Sequence, residues 1–377
     1  MNRRGAKPVM RNLVAVVRSE WFWLVGIATC GIFYLAGDAI FATLANPISL
    51  GVVFLWLFAV MLASAVSVVR HADRLAERLG EPYGTLILTL SVTFIEVMSI
   101  SAVMLHGANN PTLVRDTLLA VVMIILNGMV GLSLLVGAWR HREQAYNLQG
   151  ANAYLSAIVP LAGLSLILPT FTTTTEGPTL SGPQQVFVVF VTIGLYVVFL
   201  AMQTGRHRGY FTLGGEDNGH EAALAERPSI PWHAIMLVAY MAPVVFLAEQ
   251  LAHPIDYLIE TLRAPTAIGG VIMAVLVATP EAISAVRAAA ANHLQRSVNI
   301  FLGSVLSTIG LTVPSMILVS HLTGRPILLG VEGPDLVLLI MTLAVSVITF
   351  ASGRTNIIQG AVHLILFAAF LLRIFQG

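Results

Sequence analysis

The chain has 377 residues, of which 57% are hydrophobic and only 10% are charged. Soluble domains carry about 25% charged residues, so this composition excludes an ordinary soluble domain and favours a protein with many membrane spans. The formal net charge of +1 comes without a dense basic cluster, so nothing indicates a nucleic-acid partner. The single cysteine, Cys30, excludes an intrachain disulfide.

A membrane-spanning helix needs ~20 mostly apolar residues, and eleven segments of the chain meet this requirement. In chain order the predicted spans are Trp21–Phe41, Ile48–Val69, Gly84–Leu105, Thr117–Ala138, Ala151–Leu168, Gln185–Met202, His233–Leu251, Ala264–Val286, Val298–Leu322, Asp335–Phe350 and Ile357–Phe375. A cleaved signal peptide is the alternative for the first segment, but its apolar run is long for that role. The sequence therefore predicts an all-α polytopic membrane protein with eleven transmembrane helices.

The basic residues predict how these spans are oriented. Cytoplasmic loops of membrane proteins are enriched in Lys and Arg. With the N-terminus in the cytoplasm, all of the 20 basic residues fall in cytoplasmic segments except Arg115, Arg263, Arg325 and Arg373. One misassigned span would move every later loop to the other side of the membrane and spoil this distribution. The distribution therefore supports the span count. It predicts a cytoplasmic N-terminus and an external C-terminus.

Two carboxylates lie well inside predicted spans. Such a charge costs roughly 2.5–3.5 kcal/mol on insertion scales, so it usually indicates function. Glu96 stands in SVTFIEVMSISAV, where Thr93 and Ser99 share its helix face at a spacing of three. Glu281 stands in VLVATPEAISAVRAAA, with Ser284 one turn later. The alternative interpretation is a structural acid that neighbouring hydroxyl groups satisfy.

Pro280 directly precedes the second of these acids. A proline inside a helix removes a backbone donor and clashes with the preceding turn, so we expect a kink or break at Ala278–Thr279. A broken helix frees carbonyl groups that can coordinate cations. An ordinary proline kink, which membrane helices tolerate, is the alternative.

The spans that follow each acid carry further polar residues. Asn127 lies in LNGMVGLSLLVG, and Ser304, Ser307 and Thr308 lie in NIFLGSVLSTIGLTVP. Such residues also serve as helix-packing contacts, which is the alternative interpretation. Carboxylate, amide and hydroxyl oxygens suit Ca²⁺, Na⁺, K⁺ and H⁺. A carboxylate that alternates between a proton and a metal ion is the chemistry of a cation/proton exchanger. No phosphate-binding loop or Cys/His pattern is present, so no cofactor is predicted.

The positions of the two acids indicate an internal repeat. They lie five spans apart, in the third and eighth spans, so their helices cross the membrane in opposite directions. Spans two to six and seven to eleven would then be inverted five-helix repeats after one leading helix. The predicted division is a tail and first helix at 1–47, repeats at 48–203 and 232–377, and an acidic linker at 204–231. The linker acids are Glu216, Asp217, Glu221 and Glu226. A Ca²⁺ sensor is one role for this linker, and a solvated connection is the preferred one.

Two stretches carry a resemblance to a known family. TLILTLSVTFIEVMSISAVML and VATPEAISAVRAAAANHLQRSVNIFLGSVLSTIGLTVP resemble the two α-repeats of the Ca²⁺:cation antiporter superfamily. GEPYGTLILTLSVTFIE and YNLQGANAYL resemble the bacterial calcium (sodium, potassium)/proton antiporters of its cation/proton exchanger branch. The resemblance covers nearly the whole chain from Glu81 onward. It implies that Glu96 and Glu281 bind the transported ion, with help from Asn127 and Ser304.

The chain departs from this family at two places. Plant and fungal members have Gly-Asn upstream of each glutamate, where this sequence has Val92–Thr93 and Val277–Ala278. Two amide ligands are therefore missing, which leaves the ion preference among Ca²⁺, Na⁺ and K⁺ open.

The residues and the resemblance together predict a secondary transporter and not an enzyme. It would export Ca²⁺, with Na⁺ and K⁺ as further candidate ions, in exchange for H⁺. The alternatives are a Na⁺(K⁺)/H⁺ antiporter with little Ca²⁺ transport, a cation channel and an intramembrane enzyme. A channel favours symmetric carboxylate rings, and no paired-His motif or Ser/Lys dyad supports an enzyme. The expected partners are cations, protons and the lipid bilayer, and a homo-oligomer is compatible with the sequence. His363, in the last span, has no evident polar partner and is interpreted as structural.

Overall fold

A computed structural model describes residues 20–80, 83–106, 110–212 and 230–376. Within these ranges ten helices are long and apolar enough to cross a membrane, and an eleventh apolar helix has 17 residues. They are α1 Trp21–Phe41, α2 Pro47–Leu79, α3 Tyr83–Leu105, α4 Leu113–His141, α5 Leu148–Phe171, α6 Gly182–Thr204, α7 Ile230–Thr261, α8 Ala267–Ala290, α9 Leu294–Thr323, α10 Gly333–Thr349 and α11 Ile357–Gln376. The predicted fold of eleven helices is confirmed. The N-terminal basic tail and the four linker acids lie outside the described residues, so predictions about them stay predictions.

Local sequence explains several helix ends. The Asn46 side chain accepts a hydrogen bond from the Ile48 amide at 2.9 Å and caps α2, with a proline in the first turn. Ser181 and Gln184 form a capping box at the start of α6. Gly324, in the left-handed conformation at φ 69°, ends α9 because a side chain would be strained there.

Helix α2 is longer than predicted. The apolar run ends near Val69, but the helix continues to Leu79 and has 33 residues, or about 50 Å of length. The bilayer core is about 30 Å thick, so the final turns extend past it. Those turns are amphipathic, with Ala72 and Leu75 buried and Glu77 exposed, and protein contacts stabilise them. A count of consecutive apolar residues misses such an extension.

Of the kink or break predicted near Pro280, the break is wrong, and the kink stays a prediction. The helix runs without interruption from Ala267 to Ala290, with Pro280 in its interior. The Thr279 hydroxyl donates to the Val275 carbonyl at 2.5 Å, which satisfies a backbone group near the proline. The helical irregularities lie in other helices, as π-helical turns of the backbone. These turns are Ile124–Met129 in α4, Gly163–Ile167 in α5, Tyr257–Thr261 in α7 and Thr308–Thr312 in α9.

Helix packing follows the inverted repeat. Several contacts between helices of the two repeats have a counterpart five helices further along the chain. The contact of α3 with α7 corresponds to the contact of α8 with α2. The contact of α8 with α4 corresponds to the contact of α3 with α9. In the same way α11 packs on α4, and α6 packs on α9. Each acidic helix thus packs on helices of the opposite repeat, α3 on α7 and α9 and α8 on α2 and α4, so both acidic helices lie at the interface of the repeats.

Loops of opposite repeats are joined at each end of the helix bundle. At one end a short antiparallel pair joins strand β1, Gln144–Ala145, to strand β2, Arg354–Thr355. These strands follow α4 and α10, so six helices separate them and both lie on one side. At the other end the Leu328 amide donates to the Pro111 carbonyl at 2.8 Å, between the loops that precede α10 and α4. Both pairs join loops that the predicted span count places on the same side of the membrane.

The close approach of α8 to α4 depends on Gly270. A Cβ atom at this position would lie 2.7 Å from the Thr117 amide nitrogen and 2.8 Å from the Asp116 carbonyl carbon. Because these are backbone atoms, α8 would have to move, and overpacking of this kind costs about 1–3 kcal/mol. We expect Gly270→Ala to lower the melting temperature in detergent and the yield of monodisperse protein.

The matched control for this substitution is Gly194→Ala, which adds a methyl group to a helix where nothing lies within 4 Å. Size-exclusion chromatography after heating would compare the two variants. Equal thermal stability of both would contradict the role assigned to Gly270.

Candidate functional site

The carboxylate of Glu96 connects the two repeats. The residue lies in the middle of α3 and is 1% exposed. Its Oε2 atom accepts hydrogen bonds from Thr308 Oγ1 at 3.1 Å and from Thr312 Oγ1 at 2.7 Å. Both threonines lie on α9, at the two ends of its π-helical turn. A carboxylate of the first repeat is therefore held by hydroxyl groups of the second.

Three polar atoms on this face of α3 have no hydrogen-bond partner within the described part of the chain. They are Thr93 Oγ1, Glu96 Oε1 and Ser99 Oγ, and all three are buried. A buried polar group without a partner costs about 1–3 kcal/mol. Three such atoms at spacings of three, on one helix face, are the arrangement expected where a ligand or water completes the contacts.

The second carboxylate, Glu281, also contacts α9. Its Oε2 atom accepts a hydrogen bond from the Ser304 hydroxyl. Ser307 donates instead to the Ser304 carbonyl at 2.9 Å, and Ser284 donates to the Pro280 carbonyl at 3.2 Å. In the structure both serine hydroxyls are therefore engaged with backbone groups of their own helices. Each retains acceptor lone pairs for a cation.

Helix α9 thus holds both glutamates. Ser304, Thr308 and Thr312 follow one another at intervals of four along this helix. The first contacts the acid of α8, and the other two contact the acid of α3. One helix therefore contacts both carboxylates within three of its turns. Their arrangement predicts that charge on one changes the ease of charging the other.

A cavity of about 300 Å³ reaches one glutamate but not the other. Its lining includes Glu281, Ser284, Ser304 and Ser307, and Glu96 is not part of it. Towards the bundle end, the same cavity is lined by Asp73, Gln203 and Arg296. These three residues lie at the ends of α2, α6 and α9 on the side of the bundle where β1 pairs with β2. The structure therefore has one accessible carboxylate and one enclosed carboxylate.

Asn127 does not contact either glutamate in the structure. Its Nδ2 atom donates to Thr342 Oγ1 at 2.8 Å, and its Oδ1 atom lies 3.2 Å from His363 Nδ1. His363 Nε2 lies 3.0 Å from Thr349 Oγ1, so the prediction that this histidine lacks a polar partner is wrong. The reason is that α4, α10 and α11 meet at this point. A role for Asn127 as an ion ligand stays a prediction.

Two residues of this region were not predicted from the sequence. Thr312 follows Thr308 by four residues and so lies on the same polar face of the helix. This spacing is the sequence feature from which Thr312 could have been predicted. Asp73 lies beyond Val69, the apolar end of its predicted span, so it falls outside the predicted helix. Within the described residues, no group of three or more His, Cys, Asp or Glu side chains forms a metal site. The candidate site instead consists of two carboxylates and a set of hydroxyl groups.

Comparison with known families decides the classification. The family described as "Sodium/calcium exchanger protein" matches residues 49–205 and 232–376, which is most of the chain. The chain belongs to this family. Each matched segment contains one of the two acidic helices, so the family match covers both Glu96 and Glu281.

Two curated relatives extend the family assignment. The chain is 42% identical to "Putative ionic transporter y4hA" of Sinorhizobium fredii, an alignment that covers 93% of this chain and 95% of that protein. It is 41% identical to "Sodium-potassium/proton antiporter ChaA" of Escherichia coli, over 84% of this chain and 86% of that one. These members of the sodium/calcium exchanger family align over nearly their whole lengths.

Solved structures support the fold. The chain matches "Structure of native YfkE" with a TM-score of 0.73 at 19% identity, covering 94% of this chain and 100% of that one. It matches "Crystal Structure of H+/Ca2+ Exchanger CAX" with a TM-score of 0.60 at 16% identity, covering 95% and 89%. At these identities the likeness shows the fold alone, which is the inverted-repeat fold of membrane exchangers.

Proposed function

We propose that this chain is a secondary cation/proton antiporter that exports Ca²⁺ from the cytoplasm in exchange for H⁺. Na⁺ and K⁺ are further candidate ions. The observation that carries the proposal is that α9 contacts a buried carboxylate from each repeat. The ion-binding set consists of Glu96, Glu281, Thr93, Ser99, Ser284, Ser304, Ser307, Thr308 and Asn127. Each glutamate would alternate between a proton and a metal ion, and no resident cofactor takes part.

Electrostatics explains why such a site couples two ions. A bare carboxylate is costly to enclose in the membrane, so the protein can close only when each glutamate carries a proton or a cation. A cation that arrives through the cavity first meets Glu281 and displaces its proton. Filling the enclosed Glu96 then requires α3 or α9 to move. Protons on the opposite side reverse these steps.

A second candidate is a Na⁺(K⁺)/H⁺ antiporter with little Ca²⁺ transport. Thr93 and Ala278 stand where the plant and fungal members have asparagine, so two amide ligands are missing. Val92 and Val277, directly before them, pack with Val69 in a small buried apolar cluster. Fewer oxygen ligands favour monovalent ions over Ca²⁺, which needs six to eight. The name of the Escherichia coli relative, a sodium-potassium/proton antiporter, also supports this candidate.

Transport in everted membrane vesicles tests these functions. Respiration acidifies the vesicle interior, and a ΔpH-sensitive dye reports proton release when Ca²⁺, Na⁺ or K⁺ is added. The antiporter is expected to give a cation-dependent recovery of fluorescence that vesicles without the protein lack. Cation uptake without proton movement would indicate a channel and overturn the proposal. The order of the three cations decides between the two antiporter candidates.

We further propose that the protein lies in a bacterial inner membrane with the division 1–47, 48–203, 204–231 and 232–377. The cavity would then open to the cytoplasm, because the loops at that end carry most of the arginines. The two segments matched by the family support the repeat boundaries.

Thiol labelling tests this orientation. Cys30 is the single cysteine, so Cys30→Ser gives a background without thiols. In this background Ser284→Cys is expected to react with a charged, membrane-impermeant thiol reagent in inside-out vesicles. Ser99→Cys, fully buried on α3, is expected not to react under the same conditions.

Two exposed positions serve as controls for sidedness, Ser352→Cys at the cavity end and Thr323→Cys at the opposite end. Reaction of Ser284→Cys only from the side that labels Thr323→Cys would contradict the proposed orientation.

A further inference from the structure

The charged residues around the cavity single out Asp73. It lies on the extension of α2, four residues past the apolar end of the predicted span. A second cavity, of about 290 Å³, adjoins the first, and Val69, Asp73 and Ser284 line both. Asp73 therefore lies where the two cavities meet, between the end of the helix bundle and Glu281.

The Asp73 carboxylate is only partly buried and is not engaged in a short contact. Within the described ranges it accepts no hydrogen bond and forms no ion pair, and Arg296 acts on it only electrostatically. Arg74 and Glu77, on its own helix, also act on it. Its charge in turn acts on Glu281. A carboxylate that faces a cavity without a direct partner can bind a cation there.

Arginines outnumber the acids around Asp73. Arg296 lines the first cavity and Arg287 the second, while Arg70 and Arg74 of the second cavity are paired with Glu20 at 2.6 Å and with Glu77 at 3.8 Å. A cation that approaches Glu281 by this route crosses a positive potential, which lowers its local concentration. In the first cavity Asp73 is the one acidic lining residue besides Glu281 among the described residues. It is placed to offset the arginines at the position where a cation begins to lose water.

We propose that Asp73 is a transient binding position for the transported cation, between the bundle end and Glu281, with Arg296 as its counter-ion when no cation is present. The inference rests on the proposed function. An arriving cation makes the direct contact with the carboxylate that Arg296 does not make, and is then transferred to Glu281. The enclosed ion site itself does not include Asp73. Asp73 therefore sets the apparent affinity for cations from this side and leaves the turnover at saturation unchanged.

The test measures initial exchange rates against cation concentration in everted vesicles. Asp73→Asn is expected to raise the apparent KM for Ca²⁺ at least roughly tenfold, with the maximal rate retained. Asp73→Glu keeps the charge and is expected to restore the wild-type KM. Arg296→Gln removes the competing charge and is expected to lower the KM. In right-side-out vesicles, where cations arrive from the other face, none of these variants is expected to change the KM.

Glu143→Gln is the matched control. Glu143 lies at the same end of the bundle and is exposed, where it forms an ion pair with Arg354 at 3.6 Å, but it lines neither cavity. Its removal is expected to leave the KM unchanged. An unchanged KM for both Asp73→Asn and Arg296→Gln, in vesicles where the wild type exchanges ions, would overturn the inference. If Asp73→Asn fails to accumulate, Arg296→Gln and Asp73→Glu decide the question. Absence of wild-type exchange would overturn the proposed function instead.

Discussion

Replacing either Glu96 or Glu281 with glutamine is expected to abolish cation/proton exchange. Glutamine keeps the size and the acceptor oxygen but removes both the charge and the exchangeable proton. Because α9 contacts the two residues as one unit, the remaining carboxylate cannot complete the cycle alone. The ΔpH assay in everted vesicles is expected to show no recovery of fluorescence with Ca²⁺, Na⁺ or K⁺ for either variant.

Both glutamine variants are expected to fold. The amide oxygen of glutamine can still accept from Thr308 and Thr312, or from Ser304, and a neutral amide is cheaper to bury than a carboxylate. Glu249→Gln, on the exposed face of α7, is the control and is expected to transport normally. Wild-type exchange by either variant at matched membrane abundance would remove that glutamate from the site.

Removing both hydroxyl groups that contact Glu96 is expected to have the next largest effect. Thr308→Val combined with Thr312→Val keeps the shape of the side chains but leaves the ionised carboxylate without a donor. Hydrogen bonds to charged groups contribute about 1.5–3 kcal/mol each. Loss of two such bonds corresponds to at least roughly a hundredfold weaker cation binding, since 1.4 kcal/mol is a factor of ten.

The measurement is the apparent KM for each cation, with serine at both positions as the conservative comparison. Serine restores the hydroxyl groups and is expected to restore most of the affinity. Thr323→Val, on the same helix, removes a hydroxyl that donates only to the Val319 carbonyl and should change nothing. A double valine variant with wild-type KM would mean that Glu96 does not depend on α9.

The span count and the two acids could be predicted because the membrane restricts sequence strongly. Buried charges are costly in lipid, so Glu96 and Glu281 stand out from their apolar surroundings, and basic loops fix the parity of the spans. Helix boundaries beyond the bilayer could not be predicted in this way. The last turns of α2 mix polar and apolar residues, which is why the predicted span ends at Val69 and leaves out Asp73.

Side-chain contacts between helices were harder to predict than the helices. A π-helical turn inserts one residue and rotates everything after it by about 100°, and no feature of the sequence marked the turns at Ile124–Met129 and Thr308–Thr312. The partners of Asn127 and His363 follow from the rotation of α4 against α10 and α11. At Pro280 the sequence left a kink and a break as alternatives, and α8 is continuous there.

The loop pairs at the two ends of the bundle constrain how the protein can move. Strand β1 follows α4 and pairs with β2 next to α11, while at the other end the loop before α4 bonds to the loop before α10. Helix α4 is thus fastened at both ends to helices of the opposite repeat. Parting the repeats as two halves would break the contacts at both ends of α4. For the proposed antiporter we therefore expect the moving parts to be helices other than α4, so that the units that move differ from the units of the repeat.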